Sequence, residues 1–186
     1  RKMGKRVLLG MSGGVDSSAS AVILKQKEYE VIGATMKLWN EGCLFNHAKD
    51  AKNVCDKLDI EHHIFECEKE FKEHVIDNFI GCYECGKTPN PCVECNKFLK
   101  FGKLYKKAEE LGCDYIATGH YAKVEYSEKY NQYVLKKSKE EQKDQSYFLY
   151  RIPKEILDKI IFPLEDFSNK EEIRNIARSN DLIVAE

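Results

Sequence analysis

The sequence predicts an α/β fold: an open, Rossmann-like parallel sheet of about five strands with helices on both faces. Two observations carry this. Short apolar runs alternate with segments of helical spacing, the pattern of strands joined by crossover helices. The first apolar run also ends in a Gly/Ser turn that leads directly into a helix. In order, Arg6 to Gly10 reads as a buried strand, and Ala19 to Lys25 as a helix with apolar Ala21, Val22 and Leu24. Val31 to Met36 is a second strand, Ala48 to Leu58 a second helix, and His62 to Phe65 a third strand. Phe71, Val75, Ile76, Phe79 and Ile80 follow the period of an amphipathic helix. Asn96 to Leu111 is a further helix, stopped by Gly112, before the strand and Gly-containing loop of "CDYIATGH". "AKVEY" and "QYVLKK" then break the rhythm as an antiparallel hairpin insertion. "SNKE", Ser168 to Glu171, reads as a capping box opening a helix to about Arg178, and "LIVAE" begins a strand.

At 186 residues and 42% hydrophobic, the chain suits one domain able to bury a core. A formal charge of −1 gives no global basic field, so any nucleic-acid contact must use a local basic face. No run approaches the roughly 18 apolar residues of a membrane helix, and no secretion signal is visible, so no membrane role is expected. Eight cysteines without such a signal read as cytoplasmic thiols, favouring metal or catalytic use over a disulfide scaffold.

The strongest chemical signal is "LLGMSGGVDSS", Leu8 to Ser18, between a strand and a helix. Gly13 and Gly14 let the backbone turn tightly and bring N–H groups towards an anion. The helix N-terminus aims its dipole at the same place. Ser12, Ser17 and Ser18 add hydroxyls, and Asp16 suits Mg²⁺ bridged to a phosphate. Neither a Walker A loop nor GxGxxG fits this spacing.

"SGGVDS" resembles the PP-loop of the ATP pyrophosphatases, whose fold is that of the adenine nucleotide alpha hydrolases. "TPNPCVECNKFLKFG", "ATGHYA" and "KDQSYFLY" narrow the resemblance to the tRNA-specific 2-thiouridylases, the MnmA/TrmU family. The resemblance implies ATP-dependent adenylation of O2 of the wobble uridine, followed by sulfur insertion at C2. It implies ATP and Mg²⁺ as cofactors, and tRNA and a sulfur-donor protein (a cysteine desulfurase or relay carrier) as partners. Residue by residue, it assigns Gly10, Met11, Ser12, Gly13, Gly14, Val15, Asp16, Ser17, Met36 and Gly119 to ATP. Asn90, Pro91 and Cys92 would meet the target base; Lys143, Asp144 and Gln145 would contact tRNA. Cys95 matches the first catalytic cysteine, and Asp16 joins it as catalytic through the metal. Residues 1–186 would form the nucleotide-binding catalytic domain; a typical member continues with central and C-terminal domains and a second catalytic cysteine.

Sulfur transfer needs a thiolate. A helix start at Asn96 with Lys97 and Lys100 nearby would lower the Cys95 thiol pKa. Cys92 stands where some relatives carry aspartate. Cys92 and Cys95 could ligate a 4Fe-4S cluster with a third cysteine beyond residue 186, or work as a metal-free persulfide or disulfide pair. Cys82 and Cys85 make a second CxxC, so four thiolates around zinc is a further alternative. Cys55, Cys67 and Cys113 read as core, Cys43 has no assigned role, and His74 reads as a helix-surface residue. His120 is expected to orient a nucleotide or loop. Phe98, Phe101, Leu104, Tyr105 and Ala108 form one stripe of the Asn96–Leu111 helix, with Lys97, Lys100, Lys103 and Lys107 on another face. Lys97 and Lys100, with Lys136, Lys137, Lys139 and Lys143, are expected to meet tRNA phosphates. Two other functions fit parts of the pattern: a PP-loop enzyme adenylating a small molecule, and a non-catalytic RNA- or metal-binding module.

Overall fold

The computed structural model describes residues 4–38, 43–139 and 144–182, the side chains of 43–46 excepted. The expected strand at "LIVAE" lies mostly outside them, as do Lys143 and the Cys43 side chain.

Five strands form the sheet: β1 (Arg6–Gly10), β2 (Glu30–Lys37), β3 (Glu61–Glu66), β4 (Tyr115–Ala117) and a two-residue strand at Ile160–Ile161. The order is β3-β2-β1-β4 and then the Ile160–Ile161 strand, all parallel. Sequence reading missed this fifth strand, because two residues show no periodicity. The segment after it anchors the sheet edge, with Phe162 and Leu164 fully buried. The predicted hairpin is present as β5 (Ala122–Ser127) and β6 (Gln132–Lys137), paired antiparallel; the Ile160–Ile161 strand is accordingly β7.

Helices pack both faces, as crossovers of a parallel sheet require. α1 (Val15–Gln26) and α2 (Cys43–Lys57) both begin earlier than their apolar periods suggest. α3 (Glu68–Phe71) runs through a π-helical turn, Lys72–Ile76, into α4 (Asp77–Glu84). α5 (Pro91–Cys95) runs through a second π-helical stretch, Asn96–Lys103, into α6 (Leu104–Glu110). α7 (Lys170–Ser179) follows. Its cap is one residue later than predicted: Asn169 Oδ1 accepts from Glu172 N at 2.9 Å, and Asn169 Nδ2 donates to Glu172 Oε1 at 2.9 Å. Asparagine here performs the capping that the motif reading gave to serine.

One core face joins α1, α2 and α7 to the sheet through Leu9, Val22, Val54 and Ile173; the other packs α6 and the hairpin through Leu8, Phe101, Leu104 and Ile116. A small third cluster, Cys67, Val75 and Leu99, lies beneath the α5 segment. The amphipathic period in α4 does not lead to burial: Phe79 and Ile80 are 44% and 49% exposed among the described residues.

The order places a topological switch between β1 and β4. Both of their carboxyl ends lead into the motif loops, "MSGG" and "TGH", which is where open α/β sheets bind ligands.

Candidate functional site: a nucleotide loop beside a cysteine pocket

The loop after β1 is held by the neighbouring strand. Met11 N donates to Ala34 O at 2.7 Å, and Thr35 Oγ1 donates to Met11 O at 3.0 Å. Gly13 adopts φ +80°, and an added Cβ would lie 2.6 Å from Asp50 Cβ and 2.8 Å from Ala51 N. Only glycine meets both demands. Gly14 caps α1 without a side-chain bond, and Ser12 Oγ accepts from the Gly14 N–H at 3.4 Å. Two expected hydroxyl donors turn inward: Ser18 Oγ donates to Gly14 O at 2.7 Å, and Ser17 Oγ to the same carbonyl at 3.2 Å. Ser18 is therefore structural.

A cavity of about 440 Å³ opens at the carboxyl end of the sheet. Gly10, Met11, Ser12, Asp16, Ser17, Met36 and Gly119 line it. Gly13, Gly14 and Val15 do not; they shape the turn. An added Cβ on Gly119 would come 3.1 Å from Asp16 C and Ser17 N, so its bare backbone is what lets the β4 loop approach the start of α1. Asp16 Oδ1 accepts from Tyr121 Oη at 2.9 Å. Tyr121 in turn exchanges two hydrogen bonds with Gln145, at 3.0 and 2.9 Å. The carboxylate is thus oriented by a residue 105 positions away, which sequence spacing does not reveal, although Tyr121 directly follows the "TGH" motif.

A second cavity, about 380 Å³, is lined by Pro91, Cys92, Cys95, Phe71, Val75 and Phe148, together with Lys100, His120 and Gln145. Those last three residues line both cavities.

The structure corrects the reading of the thiols. The helix begins at Pro91, capped by Asn90 Oδ1 accepting from Val93 N at 3.3 Å. Cys95 is therefore a full turn inside rather than at a helix start, and the dipole effect fades within the first turn. Burial pushes the Cys95 thiol above its ordinary value, and Lys100 pulls only partly against it. Cys92, nearer the start, is exposed. Asn90 serves as the cap and does not line the pocket, and Asp144 holds its loop by accepting from Ser138 N, Ser146 N and Ser146 Oγ.

Among the described residues no group of three or more His, Cys, Asp or Glu side chains converges as metal ligands, so Cys82, Cys85, Cys92 and Cys95 do not form a zinc set. Cys55 and Cys67 are buried as expected, with burial pushing Cys55 to about 11, whereas Cys113 is half-buried.

The lysine face is also divided. Lys97 lies 4.7 Å over the Phe98 ring. Lys103 pairs with Glu70, and Lys107 with Glu110 at 2.7 Å. Lys136 pairs with Glu125. The π-helical stretch changes the phase of the expected stripe: Leu99 is fully buried, while Phe98 stacks on His74 with centroids 4.2 Å apart. His74 is therefore half-buried, with one ring face packed on Phe98.

His120 Nδ1 sits 2.7 Å from Thr118 Oγ1, and burial lowers its pKa to about 3. It is a neutral hydrogen-bonding group at any physiological pH. The folded pKa is depressed below the unfolded value, so its contribution is intact above pH ~6.5 and is lost as pH falls from there towards 3. Acid titration of unfolding free energy should show a slope of up to about 1.4 kcal/mol per pH unit in this window. His120→Gln should lower the slope by His120's share, most cleanly between pH ~6.5 and ~5, above the range where Glu70, Glu125 and Glu171 titrate; an unchanged slope would show that His120 is accessible to protons in the folded state.

A family model described as the tRNA methyl transferase HUP domain matches residues 5–186. The chain belongs to this family. This HUP domain is 47% identical over 191 residues to the tRNA-specific 2-thiouridylase MnmA of Clostridioides difficile (strain 630), covering 98% of this chain and 53% of that protein. It is 48% identical over 192 residues to the MnmA of Clostridium kluyveri, covering 98% and 53%. The chain thus spans about half the length of the curated relatives it matches. Among solved structures, the HUP fold superposes on the U34-tRNA thiolase NcsA from Methanococcus maripaludis, solved with its 4Fe-4S cluster. The TM-score is 0.64 at 22% identity, over 100% of this chain and 60% of that one. A predicted tRNA methyltransferase subunit from Methanocaldococcus jannaschii superposes with TM-score 0.51 at 21% identity, over 94% and 76%. Both show the fold. No helix among the described residues is long and apolar enough to cross a membrane.

Proposed function

We propose that this HUP domain adenylates the wobble uridine of tRNA and carries the thiol chemistry that replaces its O2 with sulfur, in the cytoplasm. One observation supports it above the others: a cavity beside the PP-loop and a cavity holding two thiols share the wall Lys100, His120 and Gln145. ATP would lie in the first, its phosphates on Gly10–Ser17 and its adenine beside Met36. The target base would enter the second, beside Cys92 and Cys95, with Lys97, Asp144 and Gln145 on the tRNA side. Lys143, in the same tRNA-side assignment, lies outside the described residues.

Uridine O2 attacks the α-phosphorus as the N3 proton leaves to solvent. The bond to the β-phosphate breaks, and pyrophosphate departs with the electron pair. A donor-protein persulfide brings the sulfur: the Cys95 thiolate attacks its inner sulfur, forming a mixed disulfide with the donor cysteine and expelling hydrosulfide. The hydrosulfide adds to C2 and gives its proton to N3 as AMP leaves and C2=S forms, and a thiol reductant then restores both cysteines. Asp16, oriented by Tyr121 and lining the cavity, fits a Mg²⁺ ligand; the ion would neutralise phosphate charge there. For a 4Fe-4S cluster the described residues offer Cys92 and Cys95 but no third converging ligand, so the chemistry is derived without it.

The test is product analysis with ATP labelled at the α and γ positions. Release of pyrophosphate and AMP only with cognate tRNA is expected. Orthophosphate release would overturn the reading, and tRNA-independent ATP–pyrophosphate exchange would indicate a small-molecule substrate instead.

A further inference from the structure

We propose that Lys100 is a catalytic residue of the adenylation step: its ammonium binds the α-phosphate as the uridine oxygen adds to it. This rests on the function proposed above and replaces the sequence expectation that Lys100 meets tRNA phosphates.

Three observations carry it. First, Lys100 lines both cavities, so its side chain stands where a nucleotide in one would meet a base in the other. It shares that wall with His120, which is neutral, and Gln145, which is uncharged, so Lys100 supplies the fixed positive charge at the junction.

Second, Lys100 has no carboxylate partner among the described residues, and unlike Lys97, which lies over the Phe98 ring, it lines both cavities. Lys103 is bound to Glu70 and Lys107 to Glu110. Lys37, the other lysine on the nucleotide cavity, lies 3.5 Å from Glu68 and 3.9 Å from Glu66. A half-buried ammonium without a counter-ion stabilises an anion more than one already paired.

Third, the charge of Lys100 reaches both chambers, since it opposes protonation at His120 and at Cys95. Its position follows from the π-helical stretch Asn96–Lys103, whose wider turn buries Leu99 and brings Lys100 onto the cavity wall.

The step is a substitution at phosphorus. The O2–Pα bond forms, the bond from Pα to the bridging oxygen breaks, and pyrophosphate takes the electron pair. Negative charge grows on the non-bridging α-oxygens and on the leaving group. A preorganised cation in a site partly closed to water stabilises that charge without reorganising. Lys100 acts through its charge and takes part in no proton transfer.

The experiment compares Lys100→Gln, Lys100→Arg and Lys97→Gln, measuring single-turnover pyrophosphate release at saturating ATP and tRNA and, separately, tRNA affinity. Lys100→Gln should slow release by about 10²–10³-fold, the usual loss for one oxyanion-stabilising group. Its tRNA affinity should stay within about twofold. Lys100→Arg should recover most of the rate, which also shows that the loss is not a folding defect. Lys97→Gln should instead weaken tRNA binding and flatten its salt dependence by about one unit of slope. Iodoacetamide labelling of Cys95 at fixed pH, which needs no turnover, should slow in Lys100→Gln because the thiol loses its neighbouring cation. Weakened tRNA binding with an unchanged saturating rate in Lys100→Gln would overturn the proposal and return Lys100 to the tRNA surface. Failure of the broader function would look different: the unsubstituted protein would then release no pyrophosphate with tRNA.

Discussion

Gly13→Ala should lower the melting temperature by about 5–15 °C, corresponding to about 2–5 kcal/mol in a domain of this size, and should abolish nucleotide binding. Two costs add. The residue sits at φ +80°, where an L side chain costs about 1–2 kcal/mol. The new methyl would also fall 2.6 Å from Asp50 Cβ, 2.8 Å from Ala51 N and 3.0 Å from His47 O. Two of those atoms belong to the α2 backbone, which cannot rotate aside. Overpacking of this kind costs about 1–3 kcal/mol. Any relief must move the loop or α2, and His47 and Ala48 line the nucleotide cavity. Thermal melts and ATP titration of the variant check this. A variant within about 0.5 kcal/mol of the parent would mean that the loop does not lie against α2.

Cys95→Ser should eliminate thiouridine formation, by more than about 10³-fold, while leaving tRNA-dependent pyrophosphate release largely intact. The separation follows from geometry: Cys95 lines the second cavity and not the nucleotide cavity. Serine keeps the shape of the site but cannot supply a comparable nucleophile near neutral pH. The unsubstituted protein carries a matching pH signature. Burial holds the Cys95 thiol above its ordinary value, so the thiolate fraction, and with it alkylation, should still be rising at pH 9. Exposed Cys92 should be alkylated first near neutrality. Mass spectrometry of alkylated peptides across pH 6–10 gives the order directly. If Cys95→Ser retained thiolation and Cys92→Ser abolished it, the roles of the two sulfurs would be reversed.

Much of the fold was legible because its signals are local. Leu8 and Leu9 are apolar neighbours in one strand and are buried on opposite faces of the sheet, as the continuous apolar run of a parallel strand implies. Gly13 and Gly14 stand next to each other in the loop that needs them, and the hairpin is closed by the short turn between β5 and β6. Other features left weak or misleading local traces. Ile160–Ile161 is too short to show alternation. Phe79 and Ile80 keep a helical period but remain exposed. Ser17 and Ser18 have phosphate-binding hydroxyls by type, yet donate to Gly14 O.

The sequence by itself determined the chemistry at hand: a glycine turn into a helix, an acidic residue in its first turn, two thiols three apart, and lysines on the helix that follows. Only the tertiary structure decided how they work together. Asn96 Nδ2 donates to Phe148 O at 3.1 Å across 52 residues, Arg151 pairs with Glu94, and Tyr121 reaches Asp16 across 105. Cys95 packs against Cys67, Val75 and Leu99, burial raises its pKa, and Lys100 comes to line two chambers. The physical reason is that a pKa and a shared wall depend on what surrounds a side chain in space, and those surroundings come from segments far away along the chain.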